Sequence, residues 1–299
     1  MIIDKCGICG SDKLVASLEA TDRNFKTTNQ IFKVCQCQSC WIFQTIPKPD
    51  ESDIKIFYPK LYYPTGQTSE NYYRKYIERY QINKINLIKK YKHQGEMLDI
   101  GCGVGHFILT AIQNGYTAGG IEYSEDAAAI GRDRWSLPII TGDFLTHSFS
   151  TTSFNIITLW QVFEHLSQPK LVLQKIHEIL KTDGLVVIAV PNISSVQARI
   201  FRENWYHLDV PRHIFHFSPT SLTKLVESCG FKVLDIDYNS PEHNYAGILG
   251  SIMKLSSPDE TFTHKLIRKT IGTYIARILA TFETILASGG TFTLFALKR

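Results

Sequence analysis

From residue 97 onward, short apolar runs alternate with amphipathic stretches, and the two kinds of segment have different periods. Met97 to Ile100, Thr117 to Glu122, Leu137 to Thr141, Phe154 to Leu159, Leu185 to Val190 and Phe231 to Asp237 are short and apolar enough to be strands. His106 to Asn114 and Ser218 to Cys229 read as helices, and Gly230 marks the turn after the second. Strands that alternate with helices pair in parallel through crossover connections. The expected fold is therefore an α/β, Rossmann-like doubly wound sheet whose ligand site lies at the carboxyl ends of its strands.

Both flanks of this core carry helical patterns. Glu70 to His93 has Tyr73, Ile77, Tyr80, Ile88 and Tyr91 at helical spacing, which predicts a helix packed on the core. Between Asp237 and a final strand at Thr291 to Leu297 lies an insertion of about fifty residues, too long for a hairpin loop. Within it Ile267, Ile271, Tyr274, Ile275, Ile278, Phe282 and Ile285 share a face, with Lys265, Arg268, Lys269 and Arg277 elsewhere around the helix. That pattern fits a lid or a dimer contact, and a membrane-surface helix over about 262–287 competes with both.

The most informative stretch joins the first strand to the first helix. Met97-Leu98-Asp99-Ile100 runs into Gly101-Cys102-Gly103-Val104-Gly105, so the glycines sit where backbone must approach a ligand without Cβ interference. The helix N-terminus after them favours a carboxylate or phosphate. Gly-x-Gly-x-Gly after an acidic residue differs from the dinucleotide fingerprint, since His106 stands where a third, later glycine would be. Glu122 ends the second strand, Asp143-Phe144 follows the third, Gln161 and Glu164-His165-Leu166 follow the fourth, and Leu180-Lys181-Thr182-Asp183-Gly184 precedes the fifth.

That ordered series resembles the small-molecule branch of class I S-adenosylmethionine (AdoMet) methyltransferases, over roughly residues 95–240 and the last strand. The resemblance implies a seven-stranded sheet with an antiparallel last strand. It also implies AdoMet as cofactor, with Asp99, Gly101, Gly103, Gly105, Glu122, Asp143, Phe144 and Gln161 lining its site.

Cysteine usage adds a second module. Five of the seven cysteines fall in the first 40 residues, and Cys6-x2-Cys9 and Cys37-x2-Cys40 have the spacing of two zinc knuckles. We expect one structural zinc on Cys6, Cys9, Cys37 and Cys40, with Cys35 in place of Cys37 and a disulfide as alternatives. Cys102 and Cys229 read as small buried hydrophobes. The expected organisation is a zinc-ribbon-like module at 1–50, a linker and cap helix at 51–94, and the methyltransferase domain at 95–299 with a helical insertion at about 240–289. Many sugar-modifying and related methyltransferases begin with a similar cysteine-rich module.

Composition narrows the class without naming the acceptor. A net charge of +4 on 299 residues argues only weakly against nucleic acid. Met1-Ile2-Ile3-Asp4-Lys5 lacks a signal-peptide apolar region, and no uninterrupted apolar run reaches about 18 residues, so a cytoplasmic monomer or homodimer is expected, with membrane association through the insertion helix the competing reading. A sulfonium methyl transfers in line, so few catalytic groups are obligatory; an oxygen or carbon acid still gains from a base. His165, His207 and His213 are the candidates, His165 and His213 foremost; Trp205, Tyr206, Phe215 and Phe217 are expected to wall an acceptor pocket, and the aromatic stretch at 57–64 reads either as a lid over it or as packing between the modules. The leading reading is an O- or C-methyltransferase (EC 2.1.1.-) of a sugar, quinone, lipid or other metabolite. An RNA base methyltransferase that grips RNA through the zinc module is the alternative, and a noncatalytic AdoMet-fold binding module the third.

Overall fold

The computed structural model describes residues 5–50, 53, 56–59, 70–255 and 262–299. Its main sheet has seven strands: β4 (Glu96–Ile100), β5 (Thr117–Glu122), β6 (Ile139–Thr141), β7 (Phe154–Trp160), β8 (Leu180–Pro191), β10 (Phe231–Asp237) and β11 (Thr291–Lys298). They lie in the order β10-β11-β8-β7-β4-β5-β6. The pairs from β8 to β6 are parallel, whereas β11 runs antiparallel to both β8 and β10. Strand order reverses around β4, so the chain leaves β4 on one side of the sheet and β7 on the other. The crevice above their carboxyl ends is the ligand position of such folds.

Helices cover both faces because the central strands are apolar on both. Ile157, Leu159, Val186 and Ile188 pack under α4 (Pro169–Ile179) and α6 (Pro219–Ser228). Met97, Ile156, Leu185 and Val187 face the other way, against Ile85 and Ile88 of α1 (Glu70–Lys89) and Phe107 and Ile108 of α2 (His106–Gln113). The remaining parallel connection is α3 (Glu125–Trp135), capped by Ser124, whose side chain accepts the Ala127 N–H. β8 starts five residues earlier than its apolar run predicts, at Leu180, because Leu180 pairs with Phe154 across the sheet. Of the tyrosines on α1 and just beyond it, Tyr80 contacts His243, and Tyr91 stacks on Phe295 and donates to Asp235.

A second, four-stranded sheet holds the cysteines. Its strands β1 (Leu14–Ala20), β2 (Phe32–Cys37) and β3 (Phe43–Ile46) form an antiparallel meander, and β9 (Phe215–His216) completes it in the order β1-β2-β3-β9. The N-terminal module is therefore stitched to the histidine-rich loop of the main body, a pairing no local pattern predicts. The insertion folds as α7 (Pro241–Lys254) and α8 (Phe262–Ile285), while α5 (Val196–Phe201) lies at the entry to the histidine-rich loop.

Candidate active site

The glycine loop folds as its residue types require. Gly101, Gly103 and Gly105 all take positive φ (68°, 55° and 83°), which disfavours any residue with a Cβ. A Cβ on Gly101 would lie 2.6 Å from Val162, and one on Gly105 2.5 Å from Leu137, so those two glycines serve packing as well. Gly103 differs: nothing lies within 4 Å of the position its Cβ would take. It leaves a cradle open beside the α2 N-terminus. Glu122 ends β5 with its carboxylate over this loop, accepting N–H groups from Gly103 (2.8 Å) and Ser124 (2.9 Å). Gln161 holds a left-handed φ of 57° at the end of β7. Asp143 is exposed after β6 and accepts the Leu145 and Thr146 N–H groups. The Phe144 ring is buried against Phe149 beside α4, which leaves its backbone at the strand end as the part that faces the crevice side.

Beneath the loop lie two buried ionisable groups, of which the sequence pattern shows only one. Asp99 is 3% exposed, and the Thr158 hydroxyl donates to it at 2.6 Å. Burial pushes its carboxyl well above the usual range, and Glu122 adds to the shift. Lys84 of α1 is also buried, over the rings of Tyr80 (4.4 Å) and Trp160 (4.6 Å), and burial lowers its ammonium from the ordinary lysine range. No carboxylate lies within ion-pair distance of Lys84 among the described residues. Trp160 Nε1 is also buried with no acceptor among them. Asp99 and Glu242 act on Lys84 only at longer range, so two donors stand here with no acceptor in bonding distance among the described residues. Lys84 escapes sequence analysis because a lysine in an amphipathic helix ordinarily reads as part of the solvated face.

The histidines gather a short distance away. His165 follows β7 in a single 3-10 turn, and its Nδ1 lies 2.8 Å from Tyr58 Oη and 3.0 Å from the Arg212 carbonyl. His213 Nδ1 lies 2.9 Å from the His207 carbonyl, and its Nε2 faces Glu164 (3.8 Å) and Asp209 (3.9 Å). A carbonyl only accepts, so both Nδ1 atoms carry the proton, and Nε2 is the basic atom in each. Burial lowers His165 to about 4 and His213 well below the ordinary value, which keeps both neutral at pH 7. Glu164, His165 and His213 bring a ligand atom each within 4.8 Å of one another. Both Glu164 oxygens are buried without a hydrogen-bond partner, and burial raises the acid to about 8, so it is protonated at neutral pH.

The aromatic wall expected around these histidines is instead core. Trp205, Phe215 and Phe217 are at most 1% exposed, because Trp205 packs with Phe32 and Phe57 and Phe217 with Phe163. Tyr206 alone stays partly open, at 39%. Of the proposed aromatic lid, Phe57 is buried and Tyr58 reaches His165, whereas Tyr62 and Tyr63 lie outside the described residues. A buried ion pair ties this region down: Arg212, 1% exposed, donates to Asp22 (2.5 and 3.1 Å) and to Asp209 (2.7 Å).

Cys6, Cys9, Cys37 and Cys40 converge, all four sulfurs lying within 4.8 Å of one another. The Cys6–Cys40 and Cys9–Cys37 separations are 3.6 Å, too long for a disulfide. Tetrahedral Zn²⁺ spaces its sulfurs about 3.8 Å apart, so the donor set fits that ion. Cys35 is buried as well but stands outside this group of four. Burial raises the Cys102 and Cys229 thiols, which suits inert side chains.

Comparison with known proteins agrees with this geometry. An O-methyltransferase of ubiquinone biosynthesis from Glaesserella parasuis is 33% identical over 107 residues, 32% of this chain and 45% of that protein. An uncharacterized methyltransferase from Alkaliphilus oremlandii is 29% identical over 127 residues, 41% of this chain and 58% of that protein. The chain spans 45–62% of the length of the curated relatives it matches. A solved SAM-dependent methyltransferase from Archaeoglobus fulgidus superposes with a TM-score of 0.50 at 21% identity, over 76% of this chain and all of the other, a likeness of fold. A family model described as a methyltransferase domain matches residues 72–236, a span that opens on α1 and closes on β10 and takes in Lys84, the glycine loop and both histidines. More than half of the sequence lies inside that match, and the chain belongs to the class I methyltransferase-domain family.

Proposed function

We propose that this chain transfers a methyl group from AdoMet to an oxygen or carbon atom of a small-molecule acceptor. The observation that carries the reading is the glycine loop at the switch point, with Glu122 above it and the unmatched donors of Lys84 and Trp160 below. Gly101, Gly103 and Gly105 admit the cofactor's backbone contacts, and Glu122 accepts the ribose hydroxyls. Asp143 and Gln161 stand beside them at strand ends. Lys84 and Trp160 Nε1 take the cofactor's carboxylate, and Asp99 its ammonium, so the buried pair is completed by a zwitterion. When bound, AdoMet supplies a methyl on a positively charged sulfur, which accepts the electron pair of the breaking carbon–sulfur bond.

The chain's own contribution is placement and proton transfer. His165 Nε2 takes the acceptor's proton while the acceptor's electron pair forms the new bond to carbon, with Tyr58 and the Arg212 carbonyl holding the ring. His213, fixed by the His207 carbonyl, is the second candidate for that proton. The Glaesserella parasuis relative is named an O-methyltransferase, which favours an oxygen acceptor. Cys6, Cys9, Cys37 and Cys40 hold a structural zinc, with no open position for a substrate.

Two measurements test this reading. Purified protein incubated with methyl-labelled AdoMet and a metabolite extract, followed by mass spectrometry, should show label in one small molecule; label in RNA instead would replace the acceptor class. Calorimetry with S-adenosylhomocysteine and with methylthioadenosine, which lacks the amino-acid tail, tests the tail site. Lys84→Met should weaken the first by about 1.5–3 kcal/mol and leave the second unchanged. Equal losses for both ligands would remove Lys84 from the tail site.

A further inference from the structure

Helix α8 packs the wrong way round for a helix of a globular protein. Its small residues are the buried ones: Ala276 and Ala280 lie against Ile248 of α7, and a Cβ on Gly272 would lie 3.2 Å from Ile252. Its bulky residues face outward. Ile271, Tyr274, Ile275, Ile278, Phe282 and Ile285 are 42–73% exposed, and Leu286 continues the patch. Scattered exposed hydrophobics are ordinary, but a contiguous stripe along a 24-residue helix marks a contact surface.

The polar groups of the same helix fit one kind of partner. Arg268, Lys269 and Arg277 are its described cations, and Lys265 adds a fourth by sequence. The only acid, Glu283, is 3% exposed and turned inward, accepting from the Gln197 backbone N–H and side-chain amide. Thr270, Thr273 and Thr281 each donate their hydroxyl to the carbonyl four residues earlier, which satisfies those groups within the helix. Such a face can leave water without orphaned polar atoms. No helix among the described residues is long and apolar enough to cross a membrane.

We propose that α8 lies flat in the surface of an anionic phospholipid bilayer, with its apolar stripe among the acyl chains and its cations at the headgroups. Charge favours this partner: Lys269 and Arg277 are exposed while the helix's one acid, Glu283, is turned inward, so an anionic surface neutralises the cations without meeting a carboxylate. The contact is coupled to the site. Glu283 holds Gln197, which accepts from Trp205 Nε1, and α7 places His243 against His207 and Tyr80. On the methyl-transfer reading, bilayer docking presents the site to an acceptor held in that surface.

The test uses the full chain, metal-loaded, with vesicles of phosphatidylcholine alone or mixed with phosphatidylglycerol. Flotation should recover the protein with mixed vesicles and not with neutral ones, and raised salt should weaken recovery. Ile278→Glu with Phe282→Glu should reduce partitioning by roughly tenfold or more, and Lys269→Gln with Arg277→Gln by several-fold. Phe282→Trp provides a readout with little effect on folding, since its emission should shift to the blue on mixed vesicles. S-adenosylhomocysteine affinity should be unchanged in all of these variants, which separates failure here from failure of the cofactor assignment. Wild-type protein that ignores mixed vesicles, or binds neutral ones equally, overturns the proposal. So does a dimer in light scattering that the double glutamate variant breaks, which would assign the stripe to a second copy.

Discussion

The cofactor end and the histidine end of this molecule are built from the same sheet, yet they are assembled in opposite ways. Asp99, the loop glycines and Glu122 come from one β-α-β unit, and each group is set by a local rule: a strand end, a positive φ, a helix start. The histidine end gathers Asp22, Tyr58, Glu164, His165, His207, Asp209, Arg212 and His213, whose contacts span up to 190 residues of sequence. Local rules survive damage elsewhere. A cluster held by remote partners does not, so perturbations should separate the two ends.

Metal removal should separate them most. Zinc bound by four thiolates contributes about 10–16 kcal/mol of apparent binding free energy, and that is folding free energy for its module. Chelation, or Cys37→Ser, should unfold β1 to β3, release β9 and abolish turnover. S-adenosylhomocysteine affinity should persist, as calorimetry can show; loss of both together would mean that the ends fold as one. Elemental analysis should give one zinc per chain.

Next come the histidines. With a converted acceptor in hand, His165→Ala should lower turnover by about 10²–10⁴-fold at unchanged cofactor affinity, with His213→Ala the comparison. Because burial lowers His165 to about 4, the acid limb of wild-type turnover should fall near that value and not near pH 6.5. If both variants keep more than half of wild-type turnover, positioning alone carries the reaction.

The ion pair is third. Asp22→Ala leaves the Arg212 guanidinium buried with Asp209 alone and should cost about 3–5 kcal/mol of stability in denaturant unfolding. The pH dependence has a defined sign. Asp22 is held below the usual carboxylate range despite its burial, so its stabilisation is complete above the unfolded value near 3.9 and is lost as pH falls below it. His165, His207, His213, His216 and His243 are all lowered by burial, so the unfolded chain binds more protons there. Stability should therefore begin to fall with acidification below about pH 6.5, earlier than carboxylates alone would cause. Smallest is Glu122→Ala, expected to weaken AdoMet binding by about 1.5–3 kcal/mol in calorimetry.

What could be read from sequence follows the same division. The alternation of strands and helices from β4 to β8 was legible because periodicity and glycine are local signals, whereas the antiparallel last strand came only with the family resemblance. The four cysteines were legible because paired knuckles have a fixed spacing. Arg212 was not: its partner Asp22 is remote in sequence, and nothing in Pro211-Arg212-His213 marks an arginine that leaves water. Trp205, Phe215 and Phe217 were placed in a pocket wall because aromatic residues in a loop read as a surface feature. Phe215 is placed by β9 joining β3, a pairing of two residues, and Trp205 is buried by Phe32 and Phe57, remote in sequence. Lys84 failed for the inverse reason, since helix periodicity shows which residues are apolar and not what an adjacent glycine loop leaves unfilled.

That two-residue pairing also has a consequence for biogenesis. A ribosome delivers residues 6–40 first, so the four thiolates can capture zinc while most of the chain is still unmade. The exposed edge of β3 then waits until Phe215 and His216 emerge, by which time β4 to β8 are already available to fold. During that interval a bare strand edge is open to the wrong neighbour. Slow translation between β8 and β9 should therefore raise the amount of misassembled chain, and a chain started after residue 50 should emerge with Phe215 and His216 lacking the strand they were shaped to meet.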